Sequence, residues 1–207
     1  MSGNAKFRFF LLTSILTALF FPHYSNAKCP TRMGSVFPQD FFFVIAHRGS
    51  TIKFPENTIP AFKESLSIDG ANSLEVDLSL TKDRKIVLWR DWDLNSPIAI
   101  VRKKKGEEVA KFKPYGPPIV ELRVQKKVSE FDFDEFIDKH GYKDKITNVK
   151  TNFKIPTFQD LIEWAVKQDK LKLLILKLRA PIDEKYLIPV MFEEIRRTVR
   201  KLSLSPR

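Results

Sequence analysis

The chain has 207 residues, 43% of them hydrophobic, and carries 36 Lys and Arg against 25 Asp and Glu, for a formal net charge of +11. This length and composition suit one globular domain with its own core and exclude a disordered chain. The single cysteine excludes an internal disulfide, and the three histidines lack the spacing of a zinc site. The positive charge favours anionic partners such as phosphoesters and lipid head groups, without a strong nucleic-acid signal.

The first 27 residues are typical of a secretory signal peptide. Lys6 and Arg8 precede an apolar run over 9–21, and small residues offer a cleavage site before Lys28. Because this run is shorter than the roughly 20 residues that cross a bilayer, we expect no transmembrane span in the mature chain. An uncleaved interfacial anchor is the alternative. We therefore expect a secreted or periplasmic domain over 28–207, with a net charge of +9 after loss of Lys6 and Arg8.

Strand and helix patterns then alternate through the first half of the chain. The predicted elements are a strand over 41–46, a helix over 58–69, a strand over 74–81 and a strand over 86–89. The first strand is continuously apolar, which predicts burial on both faces. Thr58 is a suitable N-cap for the helix, and Gly70 ends it. A turn at Lys82-Asp83 separates the second and third strands.

The second half begins with an irregular region and then regains a regular pattern. Its predicted elements are an insertion over about 92–155 with a helix at 129–139, then a helix over 157–169, a strand over 171–179 and a helix over 182–202 kinked at Pro189. Prolines break the insertion, which is long for a compact domain. Thr157-x-x-Asp160 resembles a capping box. Strands that alternate with helices predict a parallel sheet with functional residues at the carboxyl ends of the strands.

Polar side chains fall at the ends of the predicted strands. His47 follows the first strand, Glu75 and Asp77 lie on the second, and Arg90 follows the third. Because residues two apart in a strand point the same way, Glu75 and Asp77 can both reach one hard cation such as Mg²⁺ or Ca²⁺. The alternatives are an exposed sheet face for this carboxylate pair and a strand-end histidine without chemical function for His47.

Residues 44–94 carry an ordered series of short motifs. They are Ala46-His47-Arg48-Gly49, Pro55-Glu56-Asn57-Thr58, Gly70-Ala71-Asn72-Ser73-Leu74-Glu75-Val76-Asp77, Thr81-Lys82-Asp83 and Leu88-Trp89-Arg90-Asp91. In this order they resemble the glycerophosphodiester phosphodiesterase family, one of the phospholipase C-like phosphodiesterases with a TIM-barrel fold. The resemblance continues more weakly into residues 155–158 and 176–179.

The resemblance implies an α/β TIM-barrel enzyme that hydrolyses glycerophosphodiesters around a bound divalent cation, Mg²⁺ or Ca²⁺. It implies that His47 transfers protons, that Arg48 and Asn57 bind the substrate, and that Glu75 and Asp77 hold the metal. Imidazole exchanges protons near neutral pH, and a guanidinium holds phosphoryl oxygens in a fixed fork. The implied partner is a glycerophosphodiester or a phospholipid head group. A surface ion pair is the alternative for Arg48.

The chain departs from the family pattern in three ways. Arg90 stands where the second catalytic histidine is expected, and arginine attracts a phosphate but does not pass on a proton. Lys177 stands where a third metal-binding carboxylate is expected, so we assign it to substrate binding and to pairing with Glu75 and Asp77. About four of the eight barrel strands are present, which predicts a fold truncated to its first half, either naturally or as a gene fragment. The open sheet edge of such a half-barrel predicts self-association.

Two functional hypotheses follow from these departures. The first is a phosphodiesterase with weakened chemistry. The second is a catalytically inactive protein that binds phosphate or lipid head groups through Arg48, Arg90 and Lys177. A less favoured alternative lets His140, in the predicted insertion, replace the missing imidazole. Trp89 and Trp92 either contact a lipid head or belong to the core or its rim.

Overall fold

The computed structural model describes residues 42–90, 110–117 and 127–204. The predicted signal peptide, Trp92 and much of the predicted insertion lie outside the described residues. The strands are β1 (Ile45–His47), β2 (Ser73–Leu80), β3 (Ile86–Val87), β4 (Phe112–Tyr115), β5 (Gly141–Asp144) and β6 (Leu173–Leu178). The helices are α1 (Ile59–Ser67), α2 (Phe133–Lys139), α3 (Phe158–Ala165) and α4 (Leu187–Leu204), with 3₁₀ turns at Val128–Glu130 and Ile182–Glu184.

Strand β2 lies at the centre of the main sheet. It pairs in parallel with β1, from Ile45 opposite Ser73 to His47 opposite Glu75. It also pairs in parallel with β6, over the whole length of β6. Seven of its eight residues are buried, as expected for a central strand with a parallel neighbour on each side. The predicted parallel sheet is therefore confirmed for these three strands.

The third strand corrects the prediction of a parallel sheet throughout. Strand β3 is antiparallel to β2, with Val87 opposite Ser79 and Ile86 opposite Leu80. The reason lies in the short turn after Thr81, because a parallel connection needs a crossover of a dozen or more residues. Arg90 therefore follows a strand that runs back along β2, and does not end a parallel strand.

The first strand is less buried than predicted. Phe42, Val44 and Ile45 are exposed, with Phe42 at 80% of its full accessible surface. Within the described ranges β1 pairs only with β2, so its other edge has no strand beside it. The prediction of a strand buried on both faces is wrong for these residues. The self-association that such an open edge suggests stays a prediction.

Helices α1 and α3, which flank the sheet, begin at the capping residues that the sequence predicts. Thr58 Oγ1 accepts a hydrogen bond from Ala61 N at the start of α1. At the start of α3, Thr157 Oγ1 accepts from Asp160 N at 3.1 Å, and Asp160 Oδ2 accepts from Thr157 N at 2.8 Å, which confirms the capping box. Helix α4 begins at Leu187 and not at 182 as predicted, so Pro189 lies in its first turn, where proline is tolerated, and not in the helix interior.

The main core lies between the sheet and helices α1, α3 and α4. Its fully buried members include Phe62, Leu74, Leu78, Phe158, Leu161 and Met191. Each such side chain contributes about 1.5–3 kcal/mol when it leaves water. This packing fixes β1, β2 and β6 side by side, and so fixes the side chains at their carboxyl ends.

A second, smaller core lies in the region predicted as an insertion. Strands β4 and β5 form a two-stranded antiparallel sheet, and the predicted helix at 129–139 is divided into a 3₁₀ turn and α2. The aromatic cluster, which we define as Trp89, Phe131, Phe136, His140 and Tyr142, packs here against Val87 and Ile155. Among the helices within the described ranges, none is long and apolar enough to cross a membrane.

Candidate functional site

Polar side chains from all three parallel strands meet at the carboxyl ends of those strands. His47 ends β1 opposite Glu75, and Asp77 lies opposite Lys177 of β6. Because alternate residues of a strand share a face, Glu75 and Asp77 point to the same side of β2, and so do Lys177 and Arg179 of β6. The structure therefore brings together the strand-end residues that the sequence selects.

His47 lies at the open side of this group, with half of its side chain exposed. Arg48 Nε donates to His47 Nε2 at 3.3 Å, and Glu75 Oε1 lies 3.1 Å from the same nitrogen. Burial lowers the pKa of His47 below its usual value of 6.5, and the Arg48 and Lys177 cations lower it further, while Glu75 and Asp77 oppose this shift. The imidazole is therefore neutral at neutral pH and can accept a proton at Nε2.

Arg48 is buried and held in place by the backbone around it. Its φ angle of 62° lies in the left-handed region, and its main-chain N–H donates to Glu75 O at 2.9 Å. Its guanidinium donates to Glu56 Oε2, and Nε lies 3.8 Å from Asp77 Oδ2. Arg48 thus forms a buried ion pair, where the sequence left a choice between a phosphate clamp and a surface ion pair.

Gly49 explains why a glycine follows Arg48. Its φ angle is +83°, which side chains disfavour, and a Cβ atom there would lie 2.7 Å from the Cβ atom of Ala61. Helix α1 therefore approaches the strand end so closely that only glycine fits. This contact fixes the position of Arg48 against β2.

Asn57 has a different position from the one that its predicted role in substrate binding suggests. It is 1% exposed, with Asn57 Nδ2 donating to Asp77 O at 3.0 Å and Asn57 Oδ1 accepting from Asp77 N at 3.2 Å. The carboxamide thus bonds both main-chain groups of Asp77, as a neighbouring strand would. In this arrangement Asn57 positions β2.

The carboxylates of β2 are paired with basic side chains of β6. Lys177 Nζ lies 2.5 Å from Glu75 Oε1. Arg179 donates to Asp77 Oδ1 from Nε at 2.7 Å and from Nη2 at 2.6 Å. Asp77 is fully buried, so this pairing supplies the countercharge that a buried carboxylate needs. The sequence predicted that Lys177 pairs with both carboxylates, whereas Asp77 is held by Arg179.

We call these paired side chains the charge cluster: Arg48, Glu56, Glu75, Asp77, Lys177 and Arg179. Sequence reasoning gave no role to Glu56 or Arg179. The signal for Arg179 was its position two residues after Lys177, since strand alternation places both on one face. Glu56 lies within the Pro-Glu-Asn-Thr motif, but nothing in that motif showed that its carboxylate meets Arg48.

Arg90 lies on the other side of Glu56 and Asn57. It lines a narrow cleft with these two residues, Trp89, Pro114 and Tyr142, and the cleft has no room for a water-sized sphere. The carbonyl of the preceding residue, Trp89, accepts a hydrogen bond from Ser79 Oγ at 2.9 Å, which fixes the chain beside β2. The structure therefore places Arg90 next to the charge cluster.

Trp89 and His140, two further candidates from the sequence, belong to the core. Trp89 is 2% exposed and packs edge-on against Phe136. His140 stacks on Phe136 with 4.2 Å between ring centroids, and His140 Nδ1 lies 2.8 Å from Phe136 O. His140 is thus enclosed by the aromatic cluster, which argues against the alternative in which it replaces the missing imidazole.

The residues at the strand ends do not fit a divalent cation. In the part of the chain that the structure describes, no group of three or more His, Cys, Asp or Glu side chains could hold a metal ion. Mg²⁺ and Ca²⁺ prefer six or more oxygen ligands, whereas Glu75 and Asp77 here contact an ammonium and a guanidinium. Asp77 Oδ2 has no hydrogen-bond partner within the described residues, and one such oxygen beside these cations is no metal site.

A wider cleft than the one beside Arg90 lies elsewhere. It has a volume of about 500 Å³ and is formed by the β2–β3 turn, the start of α3 and the second half of α4. None of the residues of the charge cluster lines it. We place the candidate site at the strand ends because the motif residues converge there.

Comparisons with known proteins identify the family to which the chain is similar. Residues 47–198, well over half of the chain, match the model of the glycerophosphoryl diester phosphodiesterase family. The chain is 32% identical over 126 residues to the uncharacterized protein YqiK of Bacillus subtilis, which covers 61% of this chain and 41% of that protein. It is 50% identical over 48 residues to a glycerophosphodiester phosphodiesterase of Caldanaerobacter subterraneus, covering 23% of this chain and 19% of the relative.

The fold also has a counterpart among solved structures. A crystal structure of a Silicibacter pomeroyi protein assigned to the glycerophosphoryl diester phosphodiesterases superposes with a TM-score of 0.53 at 20% identity. The match covers 79% of this chain and 55% of that structure, so the chain spans about half the length of its relatives or less. The fold is thus α/β and TIM-barrel-like. Because the family model matches residues 47–198, well over half of the chain, the chain belongs to the glycerophosphoryl diester phosphodiesterase family.

Proposed function

We propose that this chain binds the phosphodiester group of glycerophosphodiesters or phospholipid head groups and hydrolyses it much more slowly than a site with two histidines. One observation carries this proposal. Within the described residues, His47 is the only histidine beside the charge cluster, and Arg90 stands where the family resemblance places the second. The family binds glycerophosphodiester substrates, which supports the choice of ligand.

The chemistry explains why one histidine limits the rate. Phosphodiester hydrolysis needs one group that accepts a proton from the attacking water or hydroxyl and another that protonates the leaving oxygen. The lowered pKa of His47 makes it a proton acceptor at neutral pH. A guanidinium keeps its proton, so Arg90 attracts the phosphate but does not protonate the leaving group. Loss of one general acid or base costs about 10²–10⁴-fold in rate.

A specific observation favours a second candidate, a binding protein without turnover. Glu75 and Asp77, which the resemblance assigns to the metal, are both occupied by ion pairs with Lys177 and Arg179. If hydrolysis in this family needs the carboxylates for a cation, these pairs remove a further contribution to the rate. The two candidates share the ligand and differ in whether any product forms.

Hydrolysis of glycerophosphocholine by the purified full chain, with Mg²⁺ or Ca²⁺ added, separates the candidates. We expect slow turnover that His47→Ala abolishes, and a gain of about 10²-fold or more in the double variant Arg90→His, Lys177→Glu. The matched control is Arg196→His, Lys170→Glu, which makes the same charge changes at exposed positions and should gain nothing. No product from the unaltered chain, with a gain in the double variant, selects the binding protein.

Rapid turnover by the unaltered chain, lost in His47→Ala, would contradict the proposal. Binding is measured separately by calorimetric titration with glycerophosphocholine in EDTA. Arg90→Ala should weaken binding because it removes a cation beside the site, whereas Arg196→Ala should not. Equal affinity in all three proteins would show that Arg90 does not contact the phosphodiester.

We also propose that the protein acts outside the cytoplasm. The basic start and apolar run before Lys28 support this, although they lie outside the described residues. Expression in a bacterial host followed by mass measurement of the exported protein tests it. A mature chain that begins at Lys28 is expected, and an uncleaved chain retained in the cytoplasm would contradict export.

A further inference from the structure

We propose that Lys177 and Arg179 take the place of the divalent cation at this site, so that the charge cluster is complete without metal. The family is generally metal-dependent, and the resemblance assigns Glu75 and Asp77 to the metal. In this chain each of these carboxylates meets a cation that belongs to β6. The inference concerns how the site is held together and does not depend on whether it hydrolyses a phosphodiester.

The first support is geometric. Lys177 lies opposite Asp77 in the parallel register, and Arg179 follows two residues later on the same face. Arg179 N donates to Leu78 O at 2.7 Å, so the main chain continues the sheet as far as this residue. Both basic side chains are therefore delivered to the carboxylates by regular strand pairing. Their placement follows from the fold and needs no loop rearrangement.

The second support is the balance of charge. Three carboxylates, from Glu56, Glu75 and Asp77, contact three cationic side chains, from Arg48, Lys177 and Arg179. A divalent cation placed against Glu75 and Asp77 would add two positive charges to a balanced group and would be repelled by the ammonium and guanidinium already there.

The third support is burial. Asp77 is fully buried and Glu75 is nearly so, at 17% exposed. A buried carboxylate without a countercharge is costly. A site that kept these carboxylates, lost its metal and gained no other cation would therefore be unstable. Lys177 and Arg179 reach the carboxylates through side chains that are themselves about one-third exposed. Both side chains supply the countercharge from the same strand end, and each loses part of its hydration in doing so.

Metal binding and thermal unfolding of the full chain test this inference without any phosphodiester. The unaltered protein should bind no Mn²⁺, measured by electron paramagnetic resonance, and should unfold at the same midpoint in EDTA and in millimolar Ca²⁺. Lys177→Glu places a third carboxylate beside Glu75 and Asp77, so this variant should bind Mn²⁺ and its unfolding midpoint should rise on addition of Ca²⁺. Lys170→Glu, the same charge change at an exposed position, should behave as the unaltered protein.

Two results would overturn the inference. One is stoichiometric Mn²⁺ binding by the unaltered protein that Asp77→Asn removes. The other is a folded Lys177→Glu variant that neither binds Mn²⁺ nor gains stability from Ca²⁺. If Lys177→Glu unfolds in EDTA, refolding on addition of Ca²⁺ supports the inference. Failure to refold, combined with unaltered stability of Lys177→Met, would also overturn it, because the ammonium would then contribute nothing to the site.

Discussion

The charge cluster and the aromatic cluster meet at the cleft that Glu56 and Asn57 line together with Trp89 and Tyr142, and one histidine belongs to each region. At the charge cluster, His47 is half exposed and touches Arg48 and Glu75. In the aromatic cluster, His140 is 6% exposed and is enclosed by rings. The same side chain is therefore available for proton transfer in one region and serves as a packed ring in the other. Surroundings, and not residue type, decide which histidine can react.

The two clusters also differ in how they are stabilised. The aromatic cluster removes apolar surface from water, which is stabilising and non-directional. The charge cluster buries ionised groups, which is costly unless each charge meets a partner with good geometry. A change in the aromatic cluster should thus act through lost packing, whereas a change in the charge cluster should act through groups left unpaired. Substitutions in the two clusters therefore distinguish the loss of packing from the loss of a charged partner.

Phe136→Ala should have the largest effect, about 4 kcal/mol of the free energy of unfolding. Phe136 is fully buried, and its ring contacts those of Trp89, Phe131 and His140. Urea titration followed by tryptophan fluorescence measures the loss. Phe133→Ala is the matched control on the same helix, and its partly exposed ring should cost less than half as much. Equal losses would show that the aromatic cluster does not act as a core.

Gly49→Ala should cost about 3 kcal/mol, because the added methyl group meets Ala61 at 2.7 Å and pushes Arg48 away from Glu56 and Asp77. Gly70→Ala provides the comparison, since Gly70 also has a positive φ angle but has no atom within 4 Å of an added Cβ atom. That variant should lose only about 1 kcal/mol, from backbone strain. The same urea titration compares them, and a loss no greater at Gly49 would contradict the close approach of α1.

The smallest of these effects is the pH dependence that His47 introduces. Its pKa in the folded protein is below 6.5, so between that lower value and 6.5 the unfolded chain holds a proton that the folded chain lacks. The free energy of unfolding should therefore fall as the pH drops from 6.5 through the folded pKa, and His47→Gln should remove this part of the dependence. A difference curve between the two proteins that stays flat, or that rises as the pH falls, would contradict the lowered pKa.

Much of the site could be predicted from the sequence, because strand alternation and motif order are local. His47, Glu75, Asp77 and Lys177 are brought together by a register that follows from short apolar strands. What could not be predicted depends on distant contacts. The antiparallel direction of β3 is different, because it follows from the short turn after Thr81, which is local information.

Asn57 and Arg179 show the limit more clearly. Asn57 carries a polar side chain inside a motif, which suggests a ligand, yet its amide is used to bond the main chain of Asp77. Arg179 lies 102 residues from Asp77; strand alternation places it on the same face as Lys177 but does not indicate which carboxylate its guanidinium reaches. Such partners are set by how β6 pairs with β2, and only the folded chain shows it.

The central claim, that the side chains of β6 hold the buried carboxylates, is tested most directly by a double-mutant cycle between Asp77→Asn and Arg179→Gln in EDTA. We predict a coupling of about 2 kcal/mol in the free energy of unfolding, because Arg179→Gln removes a partner from the buried Asp77 carboxylate, whereas the same change costs little once residue 77 is the neutral Asn. The partly exposed pair Glu135 and Lys139 on α2 is the reference, and its cycle should give about 0.5 kcal/mol or less. A coupling for Asp77 and Arg179 no larger than that of the reference pair would contradict the account.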